Sequence, residues 1–195
     1  MIPERKARQQ TDYLPNQRVG IFVDVANLYH SAKNIYHGRV NYAELMKHLI
    51  GGRQLIRAMA YVIKSEGVES GVHPLEQAIS QRQKGLSTES AFFDALEKSG
   101  LELRVKDLQV YGDGLKKGDW DVGIAVDAIR MCDFLDVVIL VTGDGDYIPL
   151  VDYLKYGRGR RVEVASFHRS ASTKLQEAAD RFINLESIPK IILRR

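Results

Sequence analysis

The sequence predicts an α/β protein built on a mainly parallel sheet, and two observations carry that expectation. First, apolar runs that read as strands alternate with amphipathic stretches that read as helices along most of the 195 residues. That is the pattern of a parallel sheet with helices on both faces. Second, Arg18-Val19-Gly20-Ile21-Phe22-Val23-Asp24 and Val137-Val138-Ile139-Leu140-Val141 are near-continuous apolar runs, as expected of strands buried on both faces. Both lead into acids. Asp24 ends the first, and Thr142-Gly143-Asp144-Gly145-Asp146 follows the second. Right-handed crossovers put the C-terminal ends of parallel strands on one edge, where open α/β sheets place ligand crevices.

Taken in order, residues 1–17 carry Arg5, Lys6 and Arg8 with little apolar periodicity, and are expected to be a flexible tail. After the first strand, Val25-Ala26-Asn27-Leu28-Tyr29 begins a helix. Asn41 caps a helix over Tyr42 to Ile50, with Glu44 as capping-box partner and Gly51-Gly52 ending it. Leu55 to Ile63 reads as a strand, and 65–88 as a loop or lid-like excursion. Glu89 to Lys98 is a helix with Phe92, Phe93 and Leu96 on one face. Leu101 to Leu108 alternates as a strand should and is polar enough to lie near an edge. The glycine-rich connector Tyr111 to Trp120 lacks the Gly-Lys-Ser/Thr of a phosphate-binding loop. Asp121 to Cys132 reads as an amphipathic helix with Val122, Ala125, Val126 and Ile129 as its buried face. Tyr147 to Tyr156 is a helix, Val162 to Phe167 a strand, Thr173 to Arg181 a helix and Phe182 to Leu185 a last strand. Residues 188–195 read as a C-terminal tail.

Acids that arrive together from different strands repel one another unless something positive sits between them. With no His or Cys set beside them, the hard-oxygen cations Mg2+ or Mn2+, as one ion or two, are the expected occupants. Asp24, Asp144, Asp146 and Asp121 are the candidate ligands, and Asn27 can orient a carboxylate or a water. The competing reading is a polar turn with Asp146 capping the next helix.

Four stretches, RVGIFVDVAN (18–27), KGDWDVGIAVD (117–127), VTGDGDY (141–147) and RVEVA (161–165), resemble the NYN domain, specifically the LabA-like branch of the PIN-like nuclease superfamily. The resemblance spans roughly residues 18 to 187. It implies a PIN-like three-layer α/β/α sandwich and an Mg2+-dependent ribonuclease site. Carried over by motif, the metal ligands are Asp24, Asp121, Asp144 and Asp146, with Asn27 as polar companion of Asp24. Asp127 falls on a second acid commonly seen in that helix.

Lys116, Lys117, Arg158, Arg160, Arg161, His168 and Arg169 are candidates to hold RNA phosphates near the acids. Trp120 and Tyr147 are candidates to stack on bases, and Trp120 reads equally as a hydrophobic staple. The formal net charge of +3 permits a nucleic-acid partner without demanding one. No run approaches the length of a membrane span, no secretory signal is recognisable, and Cys132 is the single cysteine, so a cytoplasmic protein is expected. A homodimer or a protein partner stays open. So does a non-catalytic module that binds RNA or protein through the same acidic crevice. An acid-x-acid pair after a strand also occurs in TOPRIM enzymes and in sugar-nucleotide glycosyltransferases. The former expects a glutamate where Asp24 stands, and the latter a nucleotide-sugar region that is not recognisable here.

Overall fold

A computed structural model describes residues 14–64, 89–107, 109–110, 116–117 and 119–194. The first half runs β1 (Arg18–Asp24), α1 (Val25–Tyr36), β2 (Gly38–Val40), α2 (Tyr42–Ile50), β3 (Gln54–Lys64) and α3 (89–98). The second half runs β4 (Glu102–Asp107), β5 (Gln109–Val110), β6 (Lys116–Lys117), α4 (Asp121–Met131), β7 (Val137–Val141), α5 (Ile148–Asp152), β8 (Arg161–Ser166), α6 (Thr173–Ala178), β9 (Arg181–Asn184) and β10 (Ile192–Arg194). The expected excursion at 65–88 lies outside the described residues.

Six strands form one sheet in the order β4-β3-β1-β7-β8-β9, and all five pairings are parallel. The polar strand β4 is at an edge, as its alternation predicts. Side chains alternate across a strand, so β1 sends Val19, Ile21 and Val23 to one face and Phe22 to the other. The first face packs on Leu28 of α1, Leu45 and Leu49 of α2 and Leu96 of α3. The second packs on Ile124 of α4, Leu150 and Val151 of α5 and Leu175 of α6. The result is the expected three-layer α/β/α sandwich.

The sheet-facing side of α4 differs from the expectation. Val122, Val126 and Ile129 are 74%, 44% and 39% exposed, whereas Ile124 is 1% exposed and Ala128 and Cys132 are buried. Two apolar stripes compete on this helix, one at i, i+4, i+7 and one at i, i+4, i+8. Periodicity alone does not rank them. The polar residues decide, because the observed rotation lets Asp127 meet Tyr61 and Arg104 and lets Asp121 meet Tyr147. Ile124→Ala is therefore expected to cost about 2–5 kcal/mol, and Val122→Ala no more than about 0.5 kcal/mol. Urea unfolding curves of the two variants check this.

Other differences are local. Asn41 caps α2 by accepting from the Glu44 backbone N–H at 3.3 Å. Its own N–H goes to the Ile191 carbonyl at 2.7 Å, so the reciprocal half of the capping box is replaced by a tertiary bond. The helix after β7 is not uniform. A 3-10 turn at Gly145–Tyr147 leads into α5, which widens to a π-helix at Tyr153–Gly157. The segment expected to be a C-terminal tail is part of the fold through Arg194: Ile188 and Ile191 are buried, and β10 pairs antiparallel with β2. Only partners distant in sequence bury those isoleucines.

One buried polar contact lies outside the acid edge. Arg53, between α2 and β3, pairs with Glu163 of β8 at 3.1 Å, and both side chains are enclosed. The same guanidinium donates to the Leu49 carbonyl at 2.6 Å and so helps satisfy the end of α2.

Candidate functional site

The site is assembled at the C-terminal edge of the sheet. Asp24 closes β1 and is also the N-cap of α1, accepting from the Asn27 backbone N–H at 3.0 Å. Its other oxygen accepts from the Thr142 hydroxyl at 3.3 Å. Thr142 Oγ1 in turn accepts from the Asp144 backbone N–H at 3.2 Å, so one hydroxyl ties the end of β1 to the turn after β7. Asn27 makes a second tie, its side-chain carbonyl accepting from the Gly143 N–H at 3.0 Å. The turn leaves no room for a side chain at Gly143. A Cβ there would lie 2.9 Å from both Ser166 Oγ and the Ser170 carbonyl oxygen. Capping does occur here, but its donor–acceptor assignment differs from the expectation: Asp144, not Asp146, accepts, from the Asp146 N–H at 3.0 Å.

Asp121 opens α4, whose N-cap Trp120 makes no side-chain capping bond. The Tyr147 hydroxyl donates to Asp121 Oδ1 at 2.9 Å, joining the start of α4 to the turn after β7. The electrostatics show that these acids have converged. Burial pushes the Asp24 carboxyl up, hydrogen bonds from Asn27 and Thr142 oppose this, and the charges of Asp121 and Asp144 push it further up. Burial likewise raises Asp121, Tyr147 opposes this, and Asp144, Asp119 and Asp146 add to the rise. Burial raises the Tyr147 phenol, and Asp24, Asp121 and Asp144 all act in the same direction. The hydroxyl is therefore a neutral donor. Among the described residues no Lys, Arg or His forms an ion pair with Asp24, Asp121, Asp144 or Asp146.

Asp127 belongs to a different set. It accepts from the Tyr61 hydroxyl at 3.1 Å and pairs with Arg104 at 3.5 Å and Arg130 at 3.9 Å. Its charge is met by cations, unlike that of the four acids above it. Tyr61 stands in register with Asp24 on one side and Arg104 on the other, so the compensated set lies beside the acid edge on the same face of the sheet.

The expected RNA contacts divide. His168 and Arg169 follow β8 and lie at the acid edge. Arg158, Arg160 and Arg161 do not. Arg161 is in register with Val137, the first residue of β7, roughly 13 Å below the acid turn at about 3.3 Å per residue. Arg158 and Arg160 pair with Asp133, and Arg161 reaches Glu163. These three cations lie before or at the start of β8, a strand whose C-terminal end, not its start, faces the site. Lys116 and Lys117 lie on β6, paired with β5.

Trp120 serves the fold. Its indole N–H donates to the Val62 carbonyl at 2.9 Å, its ring meets Tyr61 edge-on, and a Cβ on Gly123 would lie 2.5 Å from it. Tyr147 is 2% exposed, so it cannot stack on a base. Three contributors were missed by sequence reasoning, namely Asp119, Thr142 and Lys106. Asp119-Trp120-Asp121 repeats the acid-x-acid spacing of Asp144-Gly145-Asp146, a signal that was available for the first. Lys106 lies over the Trp120 ring at 5.8 Å and donates to the Asp119 carbonyl at 3.3 Å. Only the packing of β4 against Trp120 places that cation here.

Among the described residues no group of three His, Cys, Asp or Glu side chains is gathered tightly enough to hold a metal ion by itself. The donors are carboxylate and hydroxyl oxygens on an open edge. That chemistry fits Mg2+ or Mn2+, which keep waters and share substrate oxygens and do not require an all-protein cage.

An α/β sandwich with unpaired acids at its strand ends defines the class, and comparison with known proteins gives the family. The NYN domain matches residues 18–186, and the chain belongs to that family. A 107-residue stretch is 27% identical to the low amplitude and bright protein LabA of Synechococcus elongatus, covering 52% of this chain. The chain spans 57% of the length of that relative, and the match agrees with a LabA-like NYN protein. A crystal structure of VPA0982 from Vibrio parahaemolyticus, a protein of unknown function, superimposes with a TM-score of 0.73 at 30% identity, covering 94% of this chain and 99% of that one. At the level of the superfamily, NYN membership points to RNase-type hydrolase chemistry. Among the described residues no helix is long and apolar enough to cross a membrane.

Proposed function

We propose that the chain is a divalent-metal-dependent ribonuclease that hydrolyses RNA phosphodiester bonds at the edge where β1, β7 and α4 end or begin. The observation that carries this reading is that Asp24 and Asp121 are each pushed up by neighbouring acids, Asp144 among them in both cases, with no cation paired to them among the described residues. Asp24, Asp121, Asp144 and Asp146 would hold Mg2+ or Mn2+, as one ion or two. When bound, such an ion would polarise a phosphate oxygen and make a water more acidic. The chain itself supplies the framework. Thr142 and Asn27 fix the β7 turn against β1, and the half-buried Asp24 carboxylate is oriented by two donors. His168, Arg169 and Lys106 are the cations on the substrate side.

RNA cleavage with Mg2+ or Mn2+, comparing wild type with Asp24→Asn and Asp144→Asn, tests this. Cleavage lost in both variants with folding intact is the expected result. Equal cleavage in all three would mark a contaminating nuclease and remove the support.

A second reading is a non-catalytic module that binds RNA or a protein partner through the same crevice in a regulatory role. It is favoured by the relative LabA, whose name describes low amplitude and brightness, not a reaction. RNA binding without turnover, unaffected by Asp144→Asn, would select it. Localisation in the cytoplasm and association as a homodimer belong to this proposal as well.

A further inference from the structure

We propose that Tyr147 is a positioning residue of the acid site, its buried phenol holding Asp121 in place to share a divalent cation with Asp24 and Asp144. The inference rests on the metal-dependent reading above. Tyr147 ends the 3-10 turn that follows β7. Its ring is enclosed in the core between the sheet and α4, α5 and α6. Only the hydroxyl emerges toward the acids, and it donates to Asp121 Oδ1 at 2.9 Å. Asp121 has no other means of holding its carboxylate among the described residues. It is the first residue of α4 and points to no capping partner, since the cap of α4 carries no side-chain bond. Asp24 and Asp144, by contrast, accept from backbone N–H groups of their own turns. The turn that carries Asp144 and Asp146 therefore also supplies the group that orients the acid from α4.

A matched control exists in the same layer. Tyr61 is a second buried phenol, and it donates to Asp127, whose charge is met by Arg104. Tyr147→Phe and Tyr61→Phe each keep the ring and remove one oxygen atom, so both variants retain the fold. The experiment titrates the full-length wild type and both variants with Mn2+ alone and follows the thermal midpoint. The expected result is a Mn2+ concentration for half-maximal stabilisation raised about 10-fold or more in Tyr147→Phe, the usual size of losing a residue that orients a metal ligand, and unchanged in Tyr61→Phe. A midpoint that moves equally in both variants, or in neither, overturns the positioning role and leaves the metal reading standing. A wild type that does not respond to Mn2+ overturns the metal reading, and the positioning role with it.

Discussion

Asp24→Asn is expected to make the metal-free protein more stable while it lowers RNA cleavage by at least about 10²-fold, the scale of losing one charge-stabilising group in an active site. The two effects share a cause. Asn caps a helix as well as Asp does: its side-chain oxygen can still accept from the Asn27 N–H, and its NH2, in the place of the oxygen that accepts from the Thr142 hydroxyl, can donate to Thr142 Oγ1. What changes is the charge. Asp24 is half-buried and faces Asp121 and Asp144, so its removal relieves repulsion that no cation offsets among the described residues. The gain should appear as a thermal midpoint raised by about 2–4 °C at pH 7, the size of a 1 kcal/mol change in a chain of this length. Adding Mn2+ should reverse the ranking, because only the wild type then gains. Scanning calorimetry of both proteins with and without Mn2+ checks this. Were Asp24 only a cap, the substitution would be neutral in both conditions.

The largest loss of stability is expected at the buried ion pair. Arg53→Met leaves Glu163 enclosed with its nearest cation, Arg161, on a half-exposed side chain. Removing one member of a buried pair costs about 3–5 kcal/mol, because the remaining charge has lost its compensation. It also takes away the donor to the Leu49 carbonyl at the end of α2. The double variant Arg53→Met with Glu163→Leu should recover most of that loss, since an apolar pair of similar volume desolvates no charge. Chemical denaturation of the two variants measures both numbers. A double variant as unstable as the single one would mean that the carbonyl contact, not the charge, is what Arg53 contributes.

Local chemistry made much of this protein readable from its sequence. The continuous apolar runs of β1 and β7 announced buried parallel strands, the alternation of β4 announced an edge, and Asn41 announced the start of α2. The position of Asp24, Asp121, Asp144 and Asp146 at strand or helix ends followed from the same signals, because the handedness of parallel crossovers brings such ends to one side. Tertiary structure decided what depends on partners far apart in the chain. It chose between the two apolar stripes of α4, because Asp121 and Asp127 had to meet Tyr147, Tyr61 and Arg104. It carried the cluster at 158–161 to the opposite edge, since a basic run in sequence does not say which end of a strand it precedes. It turned Ile188 and Ile191 inward and enclosed Arg53 with Glu163, two residues 110 positions apart in the chain. It also made Tyr147 a buried donor to Asp121 instead of an exposed ring, because the direction of a side chain after a tight turn depends on what the folded core places behind it.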